Sequence, residues 1–249
     1  MPAKRERLDK LLVDRGLVGS RERARRLIMS GEVWVAGQRV DKPGALVPVD
    51  ATPEVRGADI PFVSRGGLKL DAALTHWNID VRGLIAVDVG ASTGGFTDCL
   101  LQRGARHVFA IDVGYGQFAW ALRQDPRVTL FERANIRAFD PVKLPELAEL
   151  AVIDVSFISL RLVLPAVIKL VVPGAIILPL VKPQFEVGRA EVGKGGVVRD
   201  PKLQESAVDT VSNCGKALGL TYHGDCPSPI KGPKGNQEFL LYFTVPSAQ

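Results

Sequence analysis

Residues 84–96 read LIAVDVGASTGGF: an apolar run suited to a buried strand, an aspartate, and a turn rich in glycine that opens directly into a helical segment. A strand that hands over to a helix in this way is half of a βα unit. The same alternation continues along most of the chain. Apolar runs at 84–89, 107–113, 128–131, 150–155, 175–181 and 238–245 are separated by helical stretches, and several are continuously apolar. That is the pattern of a mostly parallel sheet covered by helices on both faces, an α/β fold. A chain of 249 residues, 46% hydrophobic, has room for such a core and a small second domain.

The glycine turn bears on the ligand. Glycine lets a ligand approach the backbone closely, but Gly90, Ser92, Gly94 and Gly95 do not form the G-x-G-x-x-G that seats a dinucleotide pyrophosphate. S-adenosylmethionine has no phosphate; it needs an acceptor for its amino acid part and an acid for its ribose. Asp88 and Asp112 end the first two strands, and Asp112 is placed either to accept from both ribose hydroxyls or to cap the turn that follows it. Asn135, after the third strand, is a candidate for the adenine edge.

The first sixty residues read differently. Leu8, Leu11 and Leu12 recur at helical spacing, and Ser20 starts a second helix with Ala24, Leu27 and Ile28 on one stripe. Val33, Val35 and Val40 flank a turn at Gly37, predicting a short hairpin. The first thirty residues hold nine Lys/Arg against four acids, whereas the remainder balances at 23 against 23. A basic segment on a neutral body suits a polyanion-binding module, and it also suits a solvated helical surface. Arg21 and Arg25, one turn apart, with Arg26 beside them, present guanidinium forks along one rim. The order RLDKLLVDRGLVGSRERARRLIMSGEVWVAGQRV resembles the small RNA-binding domain of the ribosomal-protein S-four family, through both helices and the hairpin. The resemblance implies an RNA-binding domain over 1–60, with Arg5, Arg7, Arg21, Arg25 and Arg26 toward RNA.

Ligands of open α/β sheets bind outside the carboxyl ends of the strands, where Asp88, Asp112, Asp154 and Lys182 all fall. Methylating a ribose hydroxyl calls for a base that removes its proton as the oxygen attacks. A neutral lysine can serve, and burial or a second cation favours that neutral form. Read alone, Lys69 is a solvated helix lysine and Glu238 an edge-strand charge.

From Ser64 onward, SRGGLKL, DVGASTGGFTDCLLQRGA, DVSFIS, VKPQFE and KGPKGNQEFL resemble the FtsJ-type RNA 2′-O-methyltransferases. With the N-terminal module, nearly the whole chain is similar to the TlyA family, often labelled haemolysin-like, whose members methylate cytidine riboses in ribosomal RNA. The resemblance implies a Rossmann-like methyltransferase domain over 61–249 whose last strand is antiparallel. It maps the Lys-Asp-Lys-Glu tetrad onto Lys69, Asp154, Lys182 and Glu238. Lys182 would be the base, Asp154 its orienting partner and a contact of the methyl donor, Lys69 a cation favouring the base's neutral form, and Glu238 a positioner of Lys69 or the ribose. The methyl donor would be S-adenosylmethionine, lying against Asp88, Gly90, Ser92, Thr93, Gly94, Gly95, Phe96, Asp112, Asn135 and Asp154. The partner would be ribosomal RNA in assembled or precursor subunits, and the setting cytoplasmic.

Other chemistries lack their residues. Amino-methylating enzymes place Asn or Asp, then Pro-Pro and an aromatic, after the fourth strand, where this chain reads DVSF. Cys99, Cys214 and Cys226 have no C-x-x-C or metal-ligand spacing, so neither a zinc site nor a thiol nucleophile is expected. Two further functions compete: an RNA-binding factor that retains the fold without catalysis, which the intact tetrad argues against, and a membrane-active haemolysin. A pore former needs a long apolar or amphipathic segment, and residues 166–181 are cut by Lys169, Pro173, Gly174 and Pro179.

Overall fold

In the computed structural model, which describes residues 4–29, 31–56 and 60–247, with Arg26 through its backbone alone, the chain divides into two units, Met1–Pro61 and Phe62–Gln249. The first is built from β1 (Arg5–Arg7), α1 (Leu8–Asp14), α2 (Arg21–Met29), β2 (Val33–Val35), β3 (Gln38–Val40), β4 (Leu46–Pro48) and β5 (Pro53–Val55). The Ser20 hydroxyl accepts from the Arg23 amide at 3.2 Å, which caps α2 as its sequence implies. Leu8, Leu11 and Leu12 on α1 pack with Ala24 and Ile28 on α2 over Val33 and Val47, a small core of its own. The hairpin β2–β3 turns through Ala36 and Gly37, both at positive φ, the conformation a two-residue hairpin loop demands. β5 pairs with the other edge of β2, and β1 pairs with β4.

The second unit runs α3 (Gly66–His76), β6 (Ile85–Val89), α4 (Gly95–Gln102), β7 (His107–Ile111), α5 (Trp120–Arg123), β8 (Val128–Phe131), β9 (Ala148–Ile153), α6 (Leu164–Val167), β10 (Val171–Val181), α7 (Pro183–Glu186), α8 (Pro201–Ala217), β11 (Thr221–Pro227) and β12 (Phe239–Thr244). Its seven strands lie in the order β11-β12-β10-β9-β6-β7-β8. Pairs among β6 to β10 are parallel, while β12 runs antiparallel to both β10 and β11. The fold is therefore the expected α/β one with an antiparallel last strand. Two details depart from expectation. Strand β10 starts at Val171 rather than 175, bending through an irregularity between Val171 and Ile176 that contains Pro173 and Gly174. Strand β11 has no counterpart among the apolar runs of the sequence, and residues 183–200 contain α7 and a 3-10 turn at Arg189–Glu191.

One tight contact fixes α8 on the sheet. A Cβ at Gly215 would lie 2.5 Å from the Phe243 ring, which is fully buried on β12 and has nowhere to retreat. Gly215→Ala gains about 1 kcal/mol of helix propensity and meets overpacking that costs about 1–3 kcal/mol. Chemical denaturation is expected to show a net loss of up to about 2 kcal/mol at an unchanged m-value.

Candidate functional site

Strand β6 sits between β7 and β9, so the strand order reverses on either side of it and a crevice opens at its carboxyl end. Val89 pairs with Ile153, and the register carries Gly90 against Asp154. Gly90 has φ +85°, and a Cβ there would lie 2.7 Å from the Asp154 carbonyl oxygen, so neither the conformation nor the space admits another residue. The turn ends at Gly94, φ +97°, and α4 begins at Gly95. A Cβ on Gly95 would meet Ser64 Oγ at 2.2 Å and the Gly67 amide nitrogen at 2.9 Å, so the start of α3 is seated directly on the start of α4.

Four side chains far apart in sequence meet there. Lys69, buried on α3, donates to Glu238 Oε2 at 2.5 Å, just before β12. Lys182, after β10, pairs with Asp154 Oδ1 at 2.7 Å and donates to Ser156 Oγ at 2.8 Å. All four charged groups line one cavity of ≈290 Å³, together with Asp88, Gly90, Ser92, Thr93, Gly95 and Phe96. The solvated reading of Lys69 and the edge-charge reading of Glu238 both fail, since each side chain is less than a tenth exposed. A neighbouring cavity of ≈480 Å³ contains Asp112 and Asn135 and shares Gly90, Ser92, Asp154 and Ser156 with the first.

Asp112 caps the turn that follows it. Its Oδ1 accepts from the Gly114 amide at 2.6 Å and its Oδ2 from the Ser92 amide at 2.7 Å, which ties the turn after β7 to the glycine turn after β6. A carboxylate carries about four acceptor positions, so two remain for a ligand. Asn135 Oδ1 caps the following 3-10 turn by accepting from the Arg137 amide at 3.1 Å. Gly94 lines neither cavity: a Cβ there would run into Leu122 and Phe118, so this glycine serves packing against α5.

Asp88 is the most unusual group. It is fully buried; Thr97 Oγ1 donates to its Oδ2 at 2.6 Å, and its Oδ1 has no hydrogen-bond partner. Burial, against which the Thr97 hydrogen bond works, and the neighbouring carboxylates of Asp154 and Asp112 push its pKa up to about 7. A buried acceptor facing a cavity is a group that a donor, above all a cationic one, would satisfy.

Several further contributors lie within the SRGGLKL, DVSFIS, VKPQFE and KGPKGNQEFL motifs without a catalytic or cofactor role assigned from the sequence. Ser64, Arg65, Gly66, Ser156 and Lys231 line the first cavity. Glu186 is buried on α7, its pKa raised by that burial, and accepts from Ser159 Oγ at 2.6 Å and the Leu160 amide at 2.8 Å. It thereby joins the loop bearing Lys182 to the loop bearing Asp154 and Ser156. Burial also raises the Cys99 thiol, so it stays protonated and is no nucleophile.

In the N-terminal unit, Asp9 is fully buried and accepts twice from Arg7, at 2.9 and 3.0 Å, and once from Arg21 at 3.3 Å. Both guanidinium groups are therefore fixed in place while remaining about half exposed. Arg5 and Arg25 are exposed; the side chain of Arg26 lies outside the described residues. Among the described residues, no group of three His, Cys, Asp or Glu is placed to hold a metal ion, and no helix is long and apolar enough to cross a membrane.

Comparisons with known proteins follow the same division. Residues 62–245 match the FtsJ-like methyltransferase family, and residues 6–52 match the S4 domain. A Bacillus subtilis protein named as an rRNA methyltransferase, YqxC, is 50% identical, covering 99% of this chain and 88% of its own. The 16S/23S rRNA (cytidine-2′-O)-methyltransferase TlyA of Mycobacterium tuberculosis is 48% identical over 96% of this chain and 90% of its own. A solved structure from Streptococcus thermophilus, named as a haemolysin, aligns with TM-score 0.77 and 44% identity over 98% of this chain and 91% of that one. The S-adenosylmethionine-dependent methyltransferase of Mesorhizobium loti shares the fold alone, at TM-score 0.52 and 17% identity over 70% of this chain and 96% of that one.

The buried Asp88 gives the site a pH signature. Its affinity for a proton is raised on folding, from the ordinary 3.8 to about 7, so the native state holds more protons than the unfolded one between these values. The associated stability is present in full below about pH 4 and is lost as pH rises through 7. Asp88→Asn keeps the Thr97 contact without that titration. Thermal or denaturant unfolding without methyl donor should show the variant's advantage over wild type widening by about 2 kcal/mol from pH 5.5 to 7 and then levelling off.

Proposed function

The chain belongs to the FtsJ-like methyltransferase family, and from that membership we propose that it transfers a methyl group from S-adenosylmethionine to the 2′-hydroxyl of a cytidine in ribosomal RNA. The observation that carries the reading is the pair of ion pairs, Lys69 with Glu238 and Lys182 with Asp154, on one cavity beside the glycine turn. The relative named TlyA, 48% identical over most of both chains, supports cytidine and the ribosome as the substrate.

The residues present fit the donor. Asp88 Oδ1, buried and unpartnered, suits its ammonium group; Gly90 and Gly95 leave the backbone open to it; Asp112 retains acceptor capacity for its ribose hydroxyls, and Asn135 lines the cavity that would take its adenine. When bound, S-adenosylmethionine supplies an electrophilic methyl on a sulfonium and departs as a neutral thioether. The protein's task is to make the ribose oxygen a nucleophile in line with that methyl. Lys182 accepts the 2′-hydroxyl proton on Nζ as the oxygen–carbon bond forms and the carbon–sulfur bond breaks. The hydrogen bond to Ser156 and the ion pair with Asp154 restrain Nζ at the edge of the cavity where the substrate would lie. Asp154 would also place negative charge toward the donor's sulfonium. Lys69, neutralised by Glu238, acts with it as a positioned pair that can hydrogen-bond the ribose.

The N-terminal unit supplies affinity. Arg5, Arg7, Arg21, Arg25 and Arg26 would contact phosphate, with Arg7 and Arg21 held ready by Asp9, so that little side-chain entropy is lost on binding. The setting would be the cytoplasm, where ribosomal subunits are assembled.

Transfer of labelled methyl to unmodified small and large subunits, followed by nuclease digestion, is expected to put the label on a cytidine ribose. Lys182→Ala should slow transfer by roughly 10²–10⁴-fold with donor binding retained by calorimetry. Lys182→Arg should not restore it, because a guanidinium stays protonated. Wild-type rates from either variant would remove Lys182 from the role of base.

A further inference from the structure

A third cavity, also ≈290 Å³, shares Ser156, Lys182 and Glu238 with the catalytic one and is walled by Phe157, Gln184 and Phe185. The two phenylalanine rings lie 5.2 Å apart at 50°. Phe157 is 89% exposed and held at φ +64°, a conformation and an exposure that a bulky aromatic side chain rarely adopts without a reason. Gln184 Oε1 is buried in the same neighbourhood and accepts no hydrogen bond. Ser156, Lys182 and Lys234 also line the cavity, yet none of them donates to it, and an unpaired buried acceptor is a standing cost until a donor arrives.

The chemistry of the neighbouring site says what would enter. A ribose that presents its 2′-oxygen to Lys182 carries its base on the adjacent carbon, so the base must occupy space contiguous with Lys182. Enzymes that take a nucleotide out of its stack commonly hold the base against aromatic side chains and read its hydrogen-bonding edge. We propose that this cavity receives the target base and that Gln184 is its specificity-determining residue, accepting a hydrogen bond from the exocyclic amino group of cytosine through Oε1. Uracil presents a carbonyl oxygen at that position, and two acceptors would then face each other without a proton between them. The proposal rests on the 2′-O-methyltransferase reading of the neighbouring site and gives its base preference a physical origin.

The experiment uses the full chain and ribosomal subunits in which the nucleotide found to carry the ribose label is either the natural cytidine or a uridine. Single-turnover methylation by wild type is expected to favour cytidine by about 100-fold or more, since a site built around a hydrogen bond rejects the group that cannot make it. Gln184→Leu should lower the rate on cytidine and shrink the cytidine-to-uridine ratio by about tenfold or more, with S-adenosylmethionine binding unchanged. Gln184→Glu, which keeps an acceptor in place, should retain the preference. Equal wild-type rates on the two nucleotides, an unaltered ratio in Gln184→Leu, or loss of preference in Gln184→Glu would each overturn the role of Gln184 while leaving ribose methylation intact. The wild-type ratio decides the matter even if the leucine variant does not fold. Absence of any ribose label with wild type would overturn the underlying reading, and this one with it.

Discussion

The pairing of β6 with β9 is the constraint on which the site depends. Because Val89 is in register with Ile153, the chain leaves β6 at Gly90 hard against the backbone of Asp154. That approach brings the turn of the first βα unit beside the loop that carries Asp154 and Ser156. A one-residue slip would turn every side chain of a strand buried on both faces the wrong way, so the packing of Ile85, Val87 and Val89 enforces the register. The geometry of the charged groups is thus fixed by apolar burial in the strands beneath them.

The charged groups then add constraints of their own. Lys69 and Glu238 are 169 residues apart and both almost fully buried. Removing either partner of a buried pair leaves an uncompensated charge, at a cost of about 3–5 kcal/mol. The pair therefore ties α3 to the segment that leads into β12 and makes the site's completeness a condition of local stability. Gly232 belongs to this arrangement, since a Cβ there would come within 2.3 Å of Glu238 Oε1. On the other side, Glu186 joins the loops of Lys182 and Asp154 through Ser159 and Leu160. Lys69 is matched by Glu238, so its charge acts on Lys182 less directly than a bare cation would.

What could be read from residues alone follows from what is local. The β6–turn–α4 unit was legible because its apolar run and its glycines are adjacent in sequence, and the helices of the N-terminal unit because their leucines recur at helical spacing. The tetrad was not legible in this way: its members meet only through the sheet topology, and their assignment came through family resemblance. Strand β11 escaped notice because TYHGDCP, an edge strand with an exposed face, lacks the apolar signal of the interior strands. Gly94 was assigned to the cofactor by its place in the turn, whereas its missing side chain makes room for Phe118 and Leu122. Gln184 gave no signal because an unpaired oxygen is a property of three-dimensional surroundings.

The carboxylates at the strand ends also explain how binding and folding are linked. Asp88 near the end of β6, Asp112 just after β7 and Asp154 just after β9 lie on three neighbouring strands and face cavities that share residues. The charges of Asp154 and Asp112 add to the burial that raises Asp88. A cationic group placed at the unpartnered Asp88 Oδ1 would offset the burial and the repulsion that favour its neutral form. A ligand that binds only the folded chain stabilises it by mass action, and one bearing a cation would do so here partly through Asp88. At that position the site favours a cationic group over an anionic one. This separates it physically from dinucleotide sites on similar sheets, where a helix N-terminus and glycine amides await a pyrophosphate and a strand-end aspartate facing the phosphates would repel it.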